Sequence, residues 1–323
     1  DPSFGGLLVV DKPAGWTSHD VVARCRKVFG LKKVGHAGTL DPDATGVLLV
    51  GLGSVTRLLR FLSGLPKSYR AEVVLGVATT TLDASGDVTG RWDMGGVTLA
   101  DARAAAASLT GQITQVPPMV SAVHAGGRRL HELARAGIEV EREARLVTVT
   151  RFDISGPVAG VSEAGSGPVF SAAVECSSGT YVRALAADLG AALGGGAHLR
   201  NLRRTGVGPY TLADAVPLDE VSPAALRPPG DALPGITVVT VDDSLVAAVG
   251  HGAVLSRADL GAPAAGGGPW AVVAPDGRLL AVYEPVADGR AKPAVVLPAP
   301  PELSGDARPG SAGPVGRSSP GSR

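Results

Sequence analysis

The densest group of residues able to do chemistry is GHAGTLDPDATG, Gly35 to Gly46. Asp41 precedes Pro42, whose ring confines the residue before it to extended backbone, while Gly35, Gly38 and Gly46 let the chain approach a ligand closely. Such a loop can present one carboxylate at a rigid tip. An aspartate, with an ordinary pKa of about 3.9, is ionised at neutral pH and can act there as a nucleophile or an electrostatic stabiliser. An isolated Asp-Pro pair is an ordinary turn; the glycine-rich pattern around this one sets it apart. Asp41 and Asp43 also raise a glycosidase, which uses paired carboxylates. Sugar clefts rely on aromatic platforms, however, and only 4% of this chain is aromatic. Six scattered histidines and two distant cysteines offer no zinc-ligand spacing. The glycine-rich stretches fit neither a phosphate-binding Walker loop nor a dinucleotide fingerprint. No metal and no cofactor are therefore expected.

The elements that must position this loop alternate strand and helix. LLVVD, Leu7 to Asp11, reads as an apolar strand, and Ser18 as the cap of a helix whose positions Val21, Val22, Cys25, Val28 and Phe29 follow the 3.6-residue period until Gly30. GVLLVGLG, Gly46 to Gly53, is a buried strand, and a short helix from Ser54 closes at Gly64. Tyr69, Ala71, Val73, Leu75 and Val77 alternate with Arg70 and Glu72, as in a strand with one buried face. Thr98 and Asp101 form a capping box for an alanine-rich helix. Strands follow at Leu146 to Phe152 and Pro168 to Glu175, then a helix from about Tyr181 to Leu193. Mixed order without a regular strand-helix repeat implies an α+β class with a largely antiparallel sheet flanked by helices.

At 323 residues the chain suits one large domain and a small one. The reading is a catalytic domain over 1–215 with an excursion at about 117–145, a Pro-rich acidic linker at 216–235, a small β-rich module at 236–298 and a low-complexity, disordered tail at 299–323. Cys25 and Cys176 are too few for a stapled fold and suit a reducing cytoplasm. No apolar run approaches the roughly 18 residues that span a bilayer, and DPSFGGLLVVDK lacks the pattern of a signal peptide, so a cytoplasmic chain with no membrane association is expected. Thirty basic and thirty acidic residues cancel. Yet Arg24, Arg26, Lys27, Lys32 and Lys33 cluster against Asp20 alone, and Arg200, Arg203 and Arg204 form a second group; both are candidate phosphate contacts.

GLLVVDKPAGWTSHDVV, GHAGTLDPDATGVLLVGLG, KSYRAEVVLG, SSGTYVRALAADLG and HLRNLRRTGVG stand in this order over residues 5 to 210. Together they resemble the TruB family of tRNA pseudouridine synthases, which isomerise uridine 55 in the T loop. Five ordered motifs are far more specific than any one of them. The resemblance implies the pseudouridine synthase fold, with Asp41 as catalytic nucleophile, Tyr69 as the base-stacking tyrosine and Arg183 as the arginine paired with the carboxylate. It implies that His36 assists extrusion of the target nucleotide, that Lys12 and Pro13 form the amino-terminal KP motif, and that Leu202 is an apolar pocket residue. Asp83, Tyr181, Arg203 and Arg204 complete the expected substrate-binding set.

The excursion at 117–145 resembles the family's T-arm clamp, although His124 and His131 stand where many relatives carry lysine and tyrosine. Ala78 and Thr80 replace a commonly charged pair near Asp83. The carboxy-terminal module sits where the family carries a PUA domain. The implied partner is the tRNA T-arm stem-loop; no protein partner is implied, and a monomer is expected. The chemistry fits the residue types: breaking the base-to-sugar bond and rejoining it at carbon 5 needs no redox agent, energy source or metal. It needs a flipped nucleotide in a sealed pocket with an aromatic face. An RNA-binding or tRNA-folding chaperone without turnover is the alternative from another class.

Overall fold

The computed structural model describes residues 5–118, 124–125, 128–129, 142–158, 167–263 and 267–298. Helix Ser18–Phe29 forms because Val21, Val22, Cys25 and Phe29 return to one buried face, and Gly30 stops it in the left-handed conformation at φ 63°. Its cap is Thr17, one residue before the expected Ser18: Thr17 Oγ1 accepts from the Asp20 amide at 3.0 Å, and the Asp20 carboxylate accepts from the Thr17 amide at 2.8 Å. The box at Thr98 and Asp101 caps helix Leu99–Ser108 as expected. Among the described residues, the other α-helices beside the catalytic sheet are Leu59–Ser63 and Val182–Ala192.

These helices flank a ten-stranded mixed sheet. Its order is Val216–Pro217, Leu7–Lys12, Thr45–Leu52, Ala197–Val207, Lys67–Leu75, Val169–Cys176, Arg145–Pro157 and Gly111–Gln115. Tyr210–Thr211 and Val34–Ala37 pair beside it. Two of its pairings are parallel, Ala197–Val207 with Thr45–Leu52 and Leu7–Lys12 with Val216–Pro217. The α+β, largely antiparallel expectation is thus met. The apolar run LLVV is explained by burial on both faces. Leu8 and Val10 pack under helix Ser18–Phe29, whereas Leu7 and Val9 join Leu58 and Leu62 on the opposite side.

Residues 237–296 build a second, five-stranded sheet around Trp270, Val272, Leu280 and Tyr283. Val282, Val295 and Leu297 pack into the same core as Leu58 and Leu62 of the catalytic part, and Arg57 Nη1 donates to the Val296 carbonyl at 2.8 Å. The segment read as a linker is an ordered strap. Val216–Pro217 pairs with the first strand, Leu7 exchanges backbone hydrogen bonds with Arg227, and Leu218, Val221, Ala232 and Leu233 are buried. Apolar residues interspersed among its prolines explain the difference, since burying them offsets the entropy of ordering the segment. Most of the 117–145 excursion, His131 included, and the 299–323 tail lie outside the described residues. Within the excursion, His124–Ala125 pairs with Arg128–Arg129 as a small hairpin.

Candidate active site

The loop carrying Asp41 is braced from three sides. Lys12, at the end of the first strand, is fully buried and its ammonium donates to the carbonyls of Pro13, Trp16 and Pro42 at 3.0, 2.5 and 2.9 Å. Ser18 Oγ accepts from the Leu40 amide at 2.9 Å and donates to the Leu40 carbonyl at 3.2 Å. Beneath the loop, Arg204 is 1% exposed and its guanidinium donates to the carbonyls of Val47, Gly38 and Thr39 at 2.7, 3.0 and 3.4 Å. Gly46 is obligatory: its φ is 103°, and a Cβ there would lie 2.1 Å from the Arg204 carbonyl oxygen. The Ala44 amide closes the turn on the Asp41 carbonyl at 3.1 Å.

Arg183, in the first turn of helix Val182–Ala192, meets this tip. Its Nε lies 3.1 Å from Asp41 Oδ2 and its Nη2 donates to Oδ1 at 3.3 Å, a two-point fork that fixes the plane of the carboxylate. Nη1 reaches Asp83 Oδ2 at 3.3 Å and donates to the Thr81 carbonyl at 2.9 Å. The guanidinium side chain is 6% exposed, but that of Asp41 is 42% exposed, so the carboxylate remains reachable from the cleft. Burial raises the Asp41 pKa above its ordinary value, and the Arg183 charge opposes that rise. Asp83 is supported despite Ala78 and Thr80. Thr81 Oγ1 and Ser85 Oγ each donate to its Oδ1 at 2.6 Å, and the Ser85 amide donates to the same oxygen at 3.0 Å.

Two adjoining cavities meet at Asp41, Arg183 and Leu202. The larger, about 530 Å³, is lined also by Asp83, Ser85 and Asn201; the smaller, about 280 Å³, by Tyr69, Tyr181, Lys67 and Arg204. Leu202 reaches both because the strand Ala197–Val207 breaks register between Arg200 and Arg203, with Asn201 left-handed at φ 53°. Tyr69 is 8% exposed and lines the smaller cavity together with Arg204. Burial raises its pKa, so it stays a neutral phenol. Tyr181 is held through its backbone by Gln115: its amide donates to Oε1 at 3.0 Å and its carbonyl accepts from Nε2 at 3.3 Å.

The structure thus brings together Asp41, Tyr69, Arg183, Asp83, Tyr181 and Leu202. Other expected site residues take different parts. Arg204 is not a phosphate contact, because it is buried and its guanidinium is committed to loop carbonyls. Lys12 likewise holds the loop from below, with no exposed surface to offer a substrate. Burial pushes its pKa down to about 8. Arg203 is 38% exposed and paired with Asp11 at 2.6 Å, outside both cavities. His36 is not among the residues lining the two cavities and sits edge-on to His19 with ring centroids 5.5 Å apart. Burial lowers its pKa to about 4, helped by His19 and Arg204, so it is neutral at pH 7. Sequence reasoning missed Ser18, Thr81, Ser85 and Lys67. The T-x-D-x-S spacing around Asp83 is a local turn signal that could have found two of them.

The fold that carries this site has counterparts among known proteins. Chains in an H/ACA ribonucleoprotein bound to a substrate RNA containing 2′-deoxyuridine and in an archaeal box H/ACA Nop10–Cbf5 complex share this fold. Their TM-scores are 0.65 and 0.64, both at 26% identity, covering 91% of this chain and 85% and 86% of those chains. Sequence models described as the TruB family pseudouridylate synthase N-terminal domain and the tRNA pseudouridylate synthase B C-terminal domain match residues 26–182 and 183–231. Fold, site and sequence define an enzyme of the pseudouridine synthase class. A tRNA pseudouridine synthase B of Thermobifida fusca is 47% identical over 294 residues, 90% of this chain and 98% of that protein. One of Arthrobacter is 45% identical over 300 residues, 91% of this chain and 97% of that protein. The chain belongs to the TruB family. The border between the two sequence models falls at the start of the helix that carries Arg183, so it divides the site and is not a boundary in the fold.

Proposed function

We propose that this enzyme converts uridine 55 in the T loop of tRNA to pseudouridine, acting as a monomer in the cytoplasm on the T-arm stem-loop. The observation that carries the reading is the Arg183 fork, which holds Asp41 at the mouth of the cavity lined by Tyr69. The flipped uracil stacks on Tyr69, with Leu202 beside it. The ribose presents its carbon 1 to Asp41, which attacks or stabilises it as the bond to nitrogen 1 breaks. The freed base turns, carbon 5 bonds to carbon 1 and gives up its proton, and nitrogen 1 gains one; atoms and charge balance without a co-reactant. Asp83 holds Arg183 from the other side and keeps the fork aimed. Lys27, Lys32 and Lys33 are exposed beside the amino-terminal helix and supply phosphate contacts to the stem.

The test is pseudouridine mapping in a T-arm hairpin transcript incubated with purified protein and chelator, without added cofactor. The parent forms pseudouridine at one position. Asp41→Asn binds the hairpin within a few-fold of the parent and forms none. Turnover of Asp41→Asn within about tenfold of the parent, a barrier change of about 1.4 kcal/mol, removes Asp41 from the reaction. Binding without turnover in the parent itself supports the chaperone reading.

A further inference from the structure

A cavity of about 650 Å³ lies outside the catalytic cleft, at the end of the first strand, and the reaction described above does not use it. Its walls include Trp16, Arg24, Arg203, Pro217 and Asp219. Trp16 is 39% exposed, which leaves ring surface open to a ligand. Arg24 has no hydrogen-bond or ion-pair partner among the described residues, whereas Arg203 is neutralised by Asp11 at 2.6 Å. An indole face, a free guanidinium and a carboxylate on one concave wall match the three parts of an unpaired nucleotide. The ring stacks on the base, the cation meets a phosphate, and Asp219 accepts from a base amino or imide group.

The cavity is tied to the catalytic loop. The Lys12 ammonium holds the Trp16 and Pro42 carbonyls together, at 2.5 and 2.9 Å, and the Gly15 amide donates to Pro42 at 3.0 Å. The backbone of Trp16 is therefore tied to Pro42, the residue that follows Asp41. We propose that this cavity is a second nucleotide subsite, which takes an unpaired nucleotide of the same RNA close to the isomerised one. The proposal rests on the reading of the enzyme as acting on an RNA loop. Occupying the subsite anchors the unstacked strand and offsets part of the unstacking cost.

The experiment measures hairpin affinity in the Asp41→Asn background, where RNA binds without turning over, with Trp16→Ala, Trp16→Phe and Arg24→Gln added singly. Trp16→Ala should weaken binding about tenfold, and Trp16→Phe by less than about threefold because a stacking face remains. Arg24→Gln should shallow the dependence of log affinity on log salt by about 0.7 to 0.9, one phosphate contact. Quenching of tryptophan fluorescence on RNA addition should disappear in Trp16→Phe. Melting temperature is followed in each variant, so that a folding defect is seen as such. Affinity within twofold of the parent for Trp16→Ala, with quenching intact in Trp16→Phe, overturns the subsite. Parent protein that shows Trp16-dependent binding and forms no pseudouridine overturns the isomerisation reading and leaves the subsite standing.

Discussion

Replacing Arg204 by lysine keeps the positive charge and removes the planar fork, which makes it a sharp test of what that charge does. Arg204 makes three backbone hydrogen bonds from a buried guanidinium, to Val47, Gly38 and Thr39. A lysine ammonium on a different stem can replace about one of these. Hydrogen bonds from charged groups contribute about 1.5–3 kcal/mol each, and a carbonyl left buried without a donor costs about 1–3 kcal/mol. Allowing for relaxation, Arg204→Lys should destabilise the fold by about 3–5 kcal/mol, out of roughly 5–15 kcal/mol of total stability. A melting temperature lower by roughly 5–10 °C corresponds to that loss in a chain of this size.

The loss should be visible in function as well. The Gly38 and Thr39 carbonyls anchor the loop that leads into Asp41, so the carboxylate loses its aim when they are released. Turnover on the T-arm hairpin should therefore fall steeply while the slope of log affinity against log salt stays that of the parent. Thermal denaturation, single-turnover kinetics and binding at three or more salt concentrations read these quantities separately. A melting temperature within about 1 °C of the parent, together with a slope shallower by about 0.9, would refute the bracing role and return Arg204 to the phosphate backbone.

Arg183→Lys should lower turnover by more than tenfold, because one ammonium cannot hold both Asp41 oxygens and Asp83 at once; turnover within threefold in the pseudouridine assay contradicts the fork. Tyr69→Phe keeps the stacking face and loses the hydroxyl, whereas Tyr69→Leu loses both. Single-turnover rates should fall for each and further for leucine, and equal rates for the two show that stacking is not what the ring supplies. His36 gives a pH test. Its folded pKa of about 4 lies below the ordinary 6.5, so between these values the unfolded chain binds more protons than the folded one. Its contribution to stability is therefore present above pH 6.5 and is lost as pH falls toward 4. Urea denaturation of His36→Gln should show a shallower acid decline over that window, and an unchanged decline places the acid sensitivity elsewhere.

The elements of this fold are legible in the sequence wherever local period decides them. The 3.6-residue spacing from Val21 to Phe29 and the box at Thr98 and Asp101 belong to this group. What pairs with what is decided by contacts distant in the chain, so the insertion of Ala197–Val207 between Thr45–Leu52 and Lys67–Leu75 leaves no local mark. The three arginines of RNLRRTG show the limit most plainly. Read along the chain they are one basic cluster, but in a strand neighbouring side chains leave on opposite faces, and this strand is broken by two register shifts. Arg200 ends on Glu72 at 2.7 Å, Arg203 on Asp11 at 2.6 Å, and Arg204 under the catalytic loop. Two charges are neutralised by carboxylates of other strands and the third holds the site together. Basic residues can serve as phosphate contacts only where solvent reaches them, and Lys27, Lys32 and Lys33 are exposed whereas Arg204 of the denser run is buried. The same break in the strand that scatters the arginines also carries Leu202 to the junction of the two cavities, so the feature that hid the charges is the one that completes the pocket.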